Sequence, residues 1–379
     1  MNPRRSRVEL WVPELDATKG GLQAFSCFFL RALQQASAGR PVRVMTKSGA
    51  RETKSSGLAG LEIRSSAYIP PLARSAGFAS RLLLPNLVDP PALIITTHAH
   101  FAPVAHVLKR LLGVPYVVVA HGIEVWGRIS TLRRKALCAA DRVLAVSRYT
   151  ASRLCADQGV AAERIALLPN TFADDRFRPG PKPPALLARY GLAPDRKIIY
   201  TLCRLAAGER YKGYDLLLEA LPAIRAMIPE VHYVIGGTGD DLPRLQTLIR
   251  ARGLAAHVTL AGFIPSEELP DYYRLCDVFA MPSTGEGFGI VFLEAMATGK
   301  PVLAGNRDGS TDALCDGRFG VLVDPADAVQ IATALTEILL GQGSNPLIFE
   351  GSELHRQVVA EFGQDRFRQR LVASLNGLC

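Results

Sequence analysis

The strongest constraint on this chain is an alternation that runs its course and then starts again. Short apolar runs are followed by longer segments with apolar residues at helical spacing. The first series holds "RVELWVPEL", "PVRVMTK", "ALIITTHAH", "PYVVVAHG", "RVLAVS" and "RIALLPN" as strands, with "LQAFSCFFLRALQQA" as a helix after the first. The second holds "KIIYTLCRL", "VHYVIGGTGDD", "HVTLAGFI", "VFAMPS", "PVLAG" and "GVLVDP" as strands. Between them stand "YDLLLEALPAIRAM", "DLPRLQTLIRARGL", "SEELPDYYRLC" and "GIVFLEAMATG" as helices. Strands that alternate with helices form parallel sheets with helical cover. Two series therefore predict an α/β chain of two doubly wound domains. The stretch 177–197, "FRPGPKPPALLARYGLAPDRK", is rich in proline and reads as the linker. The expected division is a domain over 1–180, a second over 181–355, and a helical tail over 356–379. No tandem repeat at solenoid periods is present.

A length of 379 residues suits two domains, and a hydrophobic share of 48% argues against disorder. No apolar run reaches the roughly 18 residues of a membrane-spanning helix. The opening "MNPRRSRVELWVPEL" is basic without a long apolar stretch after it, so no signal peptide is expected. The seven cysteines, Cys27, Cys138, Cys155, Cys203, Cys276, Cys315 and Cys379, form no C-x-x-C. That pattern fits reduced thiols in a cytoplasm better than a disulfide framework or a zinc site. The net charge of +9 is unevenly spread: residues 1–180 hold 25 basic and 12 acidic side chains, and 181–379 hold 19 and 23. A basic half beside a mildly acidic one suggests that one domain meets an anionic partner. Aromatic residues do not interleave with the basic ones and no known nucleic-acid module appears, so nucleic acid is not the expected partner.

Ligands of open α/β sheets bind beyond the carboxyl ends of the strands. The segment "STGEGFGIVFLEAMATGKPVLAG" follows one such end and carries Glu286 and Glu294 eight positions apart. Glycines at 287 and 289 permit close backbone approach just before a helix, whose first amides favour an anion. Glu294, two turns along, can accept two hydrogen bonds from a vicinal diol. Charge compensation at the helix start for Glu286 and a surface position for Glu294 are the alternatives. In "TLCRLAAGERYKGYDLLLEA", Arg204 follows a strand and Lys212 precedes a helix. Two cations there can neutralise a diphosphate, and ordinary surface charge is the other reading. His121 ends a strand in "PYVVVAHGIEVWG", where a histidine either contacts a hydroxyl or satisfies the structure. His98 and His100 lack a third metal ligand nearby and read as structural or acceptor-contact residues. Gly20 and Gly21 stand between the first strand and first helix. Gly236, Gly237 and Gly239 mark a second glycine-rich exit, and neither group forms a G-x-G-x-x-G fingerprint.

Taken together these loops resemble the retaining glycosyltransferases of family 4, which have the GT-B fold, and the likeness covers nearly the whole chain. It is carried by the E-x7-E spacing of Glu286 and Glu294 and by "RLAAGERYKGYDLLLEA", "IGGTGD", "VTLAGFIPSEELPDYY" and "LPNTFADDRFRP" in order. The segment "GEGFGIVFLEAMATGKP" is most similar to bacterial exopolysaccharide and mannosyl-type members. The resemblance implies two Rossmann-like domains facing across a cleft, with a C-terminal helix returning to the first. It implies a nucleotide-sugar donor, GDP-mannose first and UDP-glucose or another UDP-sugar next, with no further cofactor. Glu286 would contact donor-sugar hydroxyls and Glu294 the ribose. Backbone amides around Phe288, Gly289, Ile290 and Val291 would hold sugar and phosphate. Arg204 and Lys212 would stabilise the leaving diphosphate, the backbone at Gly237, Phe263 and Ile264 would meet the nucleotide, and Gly20 and Gly21 would approach its phosphates. His121 would contact the transferred sugar. No D-x-D is present, so no metal is expected, and no nucleophile is evident, which points to front-face substitution with retention.

The implied acceptor is a glycan or a polyprenyl-diphosphate-linked sugar. The basic residues Arg74, Arg81, Lys109, Arg110, Arg128, Arg133, Arg134 and Lys135 would then face an anionic membrane surface from the cytoplasm. A solvated basic face is the alternative. Two departures from the family pattern stand out. The loop "NRDGSTDAL" lacks the common G-G-x-x-E form, with Asp312 in place of glutamate, and "AAGERYKG" is one residue longer than the commonest spacing. Two other functions fit the same domains: a dinucleotide-dependent dehydrogenase and a non-catalytic binder of nucleotide sugars. Against the first stands the weak glycine fingerprint, and against the second the full set of donor-loop residues.

Overall fold

The structure, a computed structural model, describes residues 6–16, 20–36, 39–49 and 61–378. The basic opening residues, the three before Gly20, and Cys379 lie outside them. Two compact units are present. One runs to Phe172 and takes in Gln364 onward, and the other is Ala173–Gly363. The proline-rich stretch 177–197 belongs to the second unit, and Pro184–Tyr190 within it is helical. Among the described residues no helix is long and apolar enough to cross a membrane. Cys138, Cys155, Cys203 and Cys276 are free thiols.

The first unit is built on seven parallel strands: β1 (Val8–Val12), β2 (Val42–Thr46), β3 (Glu62–Ser65), β4 (Leu93–Thr96), β5 (Tyr116–Ala120), β6 (Arg142–Ala145) and β7 (Ile165–Leu167). Their order is β3-β2-β1-β4-β5-β6-β7. Strands β1, β4 and β5 are buried along their whole length, as an apolar run in a sheet covered on both faces requires. The one carboxylate among them, Glu9, accepts hydrogen bonds from Trp11 Nε1 at 2.9 Å and Asn86 Nδ2 at 2.7 Å. The helix Gly21–Ala36 buries Phe25, Phe28, Phe29, Leu30 and Leu33. Against it packs the C-terminal helix Gln364–Leu375. Phe367 sets its ring edge-on to Phe25 at 5.7 Å and to Phe29 at 6.4 Å. Strand β3 and the helix Pro71–Val88 are elements the sequence reading did not include. Strand β3 is a sheet edge of four residues, two of them charged, and the helix carries Gly77 and Pro85, so neither shows a clean period.

The second unit holds six parallel strands: β8 (Ile198–Leu202), β9 (His232–Gly236), β10 (Val258–Gly262), β11 (Val278–Met281), β12 (Val302–Gly305) and β13 (Val321–Val323). Their order is β10-β9-β8-β11-β12-β13. Its core gathers Ile199, Tyr233, Ile235 and Leu303 from the sheet with Leu217, Leu221 and Leu335 from covering helices. In each sheet the strand order reverses at one place, between β1 and β4 and between β8 and β11. Loops leave such a pair in opposite directions and open a crevice at the carboxyl edge.

Phe367 is 2% exposed and lies far along the chain from those loops. Phe367→Ala is expected to destabilise the protein by about 3–5 kcal/mol through the cavity it leaves. The effect is read as a lower urea midpoint with an unchanged slope.

Candidate functional site

Four strand exits of the second unit meet at its carboxyl edge. The exits of β8 and β9 are stitched together. The Leu205 N–H donates to the Thr238 carbonyl, and the Asp241 N–H donates back to the Leu205 carbonyl, each at 2.9 Å. Gly237 has φ +127°, and a Cβ there would lie 1.8 Å from the Cys203 carbonyl oxygen. Only glycine lets the two loops close to this distance. Beneath them Asp241, 2% exposed, accepts from Tyr214 Oη at 2.8 Å, Arg210 at 3.0 Å and Arg244 Nε at 2.8 Å. These bonds, Arg244 foremost, hold its carboxyl well below the usual carboxylate range. The loop that carries Arg204 and Lys212 is thereby fixed at Arg210. The exits of β8 and β11 are joined in turn, since the Thr284 N–H donates to the Tyr211 carbonyl at 2.9 Å.

Lys212 and Glu286 are brought into direct contact. Lys212 Nζ donates to Glu286 Oε2, and only 15% and 17% of the two side chains stay exposed. Burial alone would push the Lys212 ammonium down. The Glu286 carboxylate more than offsets it and holds the group above its ordinary value, so the lysine stays charged. Arg204 is the opposite case. Its side chain is 72% exposed and pairs with Glu209 at 2.7 Å. An exposed pair of that kind is worth about 0–1 kcal/mol, so Arg204 leaves it at little cost.

The helix Ile290–Ala297 starts at Gly289, which has φ +93°. A Cβ at that position would lie 2.4 Å from the Phe292 ring. Ile290 and Val291 are half-buried at the helix start, where the first amides have no partner inside the helix. The Phe288 ring is buried against Phe362 at 5.6 Å. Glu294 is half-buried two turns along and accepts from Tyr273 Oη at 2.7 Å. Burial pushes its carboxyl up to about 7, against the pull of the Tyr273 bond and the nearby Arg176. After β10, Ile264 is buried while Phe263 is 67% exposed.

The first unit places its expected residues at a carboxyl edge of its own. Gly20 is exposed, with φ +151°, and Gly21 opens the first helix. His121 follows β5. Its backbone N–H donates to Glu124 Oε1 at 2.6 Å, and its ring Nε2 donates to the Thr97 carbonyl at 2.9 Å. The ring stands edge-on to Phe25 at 4.7 Å. Burial lowers its pKa, opposed by Glu124 and the Thr97 bond, which leaves the imidazole neutral at pH 7. His98 and His100 stack at 4.5 Å, and burial foremost, then the neighbouring His121 and His100, pushes His98 down to about 3. Among the described residues no group of three or more His, Cys, Asp or Glu is placed to hold a metal ion. Lys109, counted in the basic face, is paired with Asp141 at 2.7 Å.

Sequence reasoning missed four residues here: Tyr273, Arg176, Asp241 and Asp308, whose buried carboxylate accepts from the Glu286 N–H at 2.6 Å. Each acts through a partner distant in sequence. Asp308 lies in the loop "NRDGSTDAL", whose departure from the common form was read at Asp312 and not at this residue.

The state of Glu294 makes a ligand-free prediction. Its folded pKa lies above its ordinary 4.5. Ionising it costs the fold stability, and that cost grows as the pH rises from about 4.5 to about 7. Tyr273→Phe removes a bond that favours the ionised form, so the titration midpoint is expected to move further above 7. Carboxyl carbon NMR resonances against pH measure it, with Glu294→Gln identifying the signal.

Comparison with known proteins gives these loops a family. The family described as Glycosyl transferases group 1 matches residues 186–349, and Glycosyltransferase Family 4 matches residues 19–176. The GDP-mannose-dependent alpha-(1-6)-phosphatidylinositol monomannoside mannosyltransferase of Mycolicibacterium smegmatis is 39% identical over 245 residues, 61% of this chain and 63% of that protein. The protein of the same name from Mycobacterium tuberculosis (strain CDC 1551 / Oshkosh) is 35% identical over 280 residues, 71% of each. The match to the first thus spans slightly under two thirds of its length. Among solved structures, Anabaena HepE in complex with UDP has a TM-score of 0.78 at 19% identity, over 97% of this chain and 99% of that one. A sucrose-phosphate synthase from Thermosynechococcus elongatus has a TM-score of 0.74 at 23% identity, over 97% of each. These likenesses are to the fold, two Rossmann-like domains of the GT-B type. Matched in both series of elements, and at 35% identity across more than two thirds of a relative, this chain belongs to the family 4 glycosyltransferases.

Proposed function

We propose that the protein transfers a hexose, mannose from GDP-mannose, to a glycan or lipid-linked acceptor in the building of an envelope polysaccharide, with retention at the anomeric carbon. The observation that carries the reading is the Lys212–Glu286 contact at the β8/β11 crevice, with Glu294 two turns beyond. The two mannosyltransferase relatives support the choice of sugar and base.

Breaking the anomeric C–O bond leaves positive charge on the sugar and negative charge on the departing diphosphate. Lys212, already charged in a partly dry site, and the exposed guanidinium of Arg204 stabilise that negative charge, as do amides at the start of the Ile290–Ala297 helix. Glu286 holds Lys212 in place and accepts from donor-sugar hydroxyls. Glu294 accepts from the ribose diol. His121, neutral, contacts the transferred sugar. The acceptor oxygen attacks from the face the diphosphate leaves, and a phosphate oxygen takes its proton, so no protein nucleophile enters. The backbone at Gly237, Phe263 and Ile264 lies against the nucleotide, and Gly20 and Gly21 against its phosphates. The helix Pro71–Val88 exposes Leu84 and Val88, three and seven residues after Arg81 and so on the same side as it, which suits an anionic membrane surface.

Melting temperature measured against GDP, UDP, ADP and their sugar derivatives tests the reading. Ligand at about 100 times its Kd adds roughly 2.7 kcal/mol of stability. The expected result is a shift with GDP and GDP-mannose that Glu294→Ala abolishes, and an α-linked product by NMR. A shift with another base moves the donor assignment. A β-linked product contradicts retention.

A further inference from the structure

We infer that Asp308 is a positioning residue for Glu286, an inference that rests on the donor-sugar role proposed for Glu286. Asp308 lies just beyond β12 and is 1% exposed. Its Oδ2 accepts from the Glu286 N–H at 2.6 Å and from the Ser283 hydroxyl at 2.7 Å. Its Oδ1 accepts from the Ser310 N–H at 2.9 Å. The next residue completes the grip, since the Gly309 N–H donates to the Glu286 carbonyl at 2.8 Å. Both polar backbone groups of Glu286 are therefore held by one dipeptide from a neighbouring loop. A Cβ at Gly309 would lie 2.1 Å from the Gly287 carbonyl oxygen, so the two loops meet backbone to backbone.

The common G-G-x-x-E form of this loop has glycine where this chain has Asp308, and glycine has no side chain with which to make such a clamp. The carboxylate suits the place because three donors converge on it and an ionised carboxylate only accepts. Burial pushes its carboxyl above the usual value, and the bonds from Ser310, Glu286 and Ser283 oppose that push. Asparagine has the same shape but one acceptor oxygen. In either orientation its NH2 faces a backbone N–H, at Glu286 or at Ser310. Asp308→Asn therefore loosens the clamp while preserving volume.

The test is a double-mutant cycle of Asp308→Asn and Glu286→Gln in the full chain. Calorimetry reads GDP and GDP-mannose, with UDP and UDP-glucose in parallel, and steady-state kinetics reads turnover. Asp308→Asn is expected to weaken nucleotide-sugar binding or turnover by about tenfold to hundredfold. Affinity for the bare nucleoside diphosphate falls by a smaller factor than affinity for the nucleotide sugar, because the Glu294 contact to the ribose is untouched even where Lys212 shifts with Glu286. In the Glu286→Gln background the second change costs less than about twofold. Asp308→Gly, the residue of the common loop, is the second variant if asparagine prevents folding, and carries the same expectations. Equal loss for nucleotide and nucleotide sugar, or losses that multiply in the double variant, would make Asp308 a general structural residue and overturn the inference. So would an Asp308→Asn protein that matches the wild type. A wild type that binds none of the four ligands overturns the donor role of Glu286 and this inference with it.

Discussion

The Lys212–Glu286 ion pair is the contact on which the carboxyl edge of the second sheet depends. Both side chains are largely withdrawn from water, and removing either leaves a poorly hydrated charge behind. The pair joins the loop after β8 to the loop after β11, at the place where the strand order reverses. It also keeps the lysine charged at every physiological pH. An anion that enters this crevice meets a cation whose position and charge are already set. Under the proposed function little would have to reorganise there as charge develops, which is where preorganised sites gain most of their rate.

The pair is only as fixed as its loops, and two buried carboxylates fix them. Asp241 gathers Tyr214, Arg210 and Arg244 under the loop that carries Lys212. Asp308 holds the Glu286 peptide from the other side. Glycines at 213, 237 and 309 let the loops approach to distances no Cβ would allow. The result is a shell of backbone contacts around two opposite charges, with Arg204 left outside on a weak exposed pair. Arg204 and Lys212 are thus different kinds of cation: one is exposed on a weak pair and the other is largely withdrawn from water and held.

The strands of each unit, β3 excepted, were legible because most are short apolar runs with a glycine, proline or charged residue close to their exit; their order in the sheets came from the structure. Glu286, Glu294, Arg204 and Lys212 were legible as residues at those exits for the same reason. The contacts among them were not, since Lys212 and Glu286 lie 74 positions apart. Glu294 shows the limit from another side. Its spacing from Glu286 is written in the chain, but its raised pKa comes from burial beside Tyr273, which no local pattern announces. Strand β3 escaped because an edge strand "EIRS" has no apolar period. The loop of Asp308 was legible only as a departure from a familiar form, marked by Asp312, and the use of Asp308 emerged from the donors around it.

Amide hydrogen exchange with and without saturating GDP tests the central claim most directly, because it locates a ligand without assuming which side chains hold it. Slowed exchange across Cys203–Gly213 and Ser283–Glu294, the two loops joined by the Lys212–Glu286 pair, is the predicted result. Unchanged exchange in both segments under conditions where GDP is bound would contradict it.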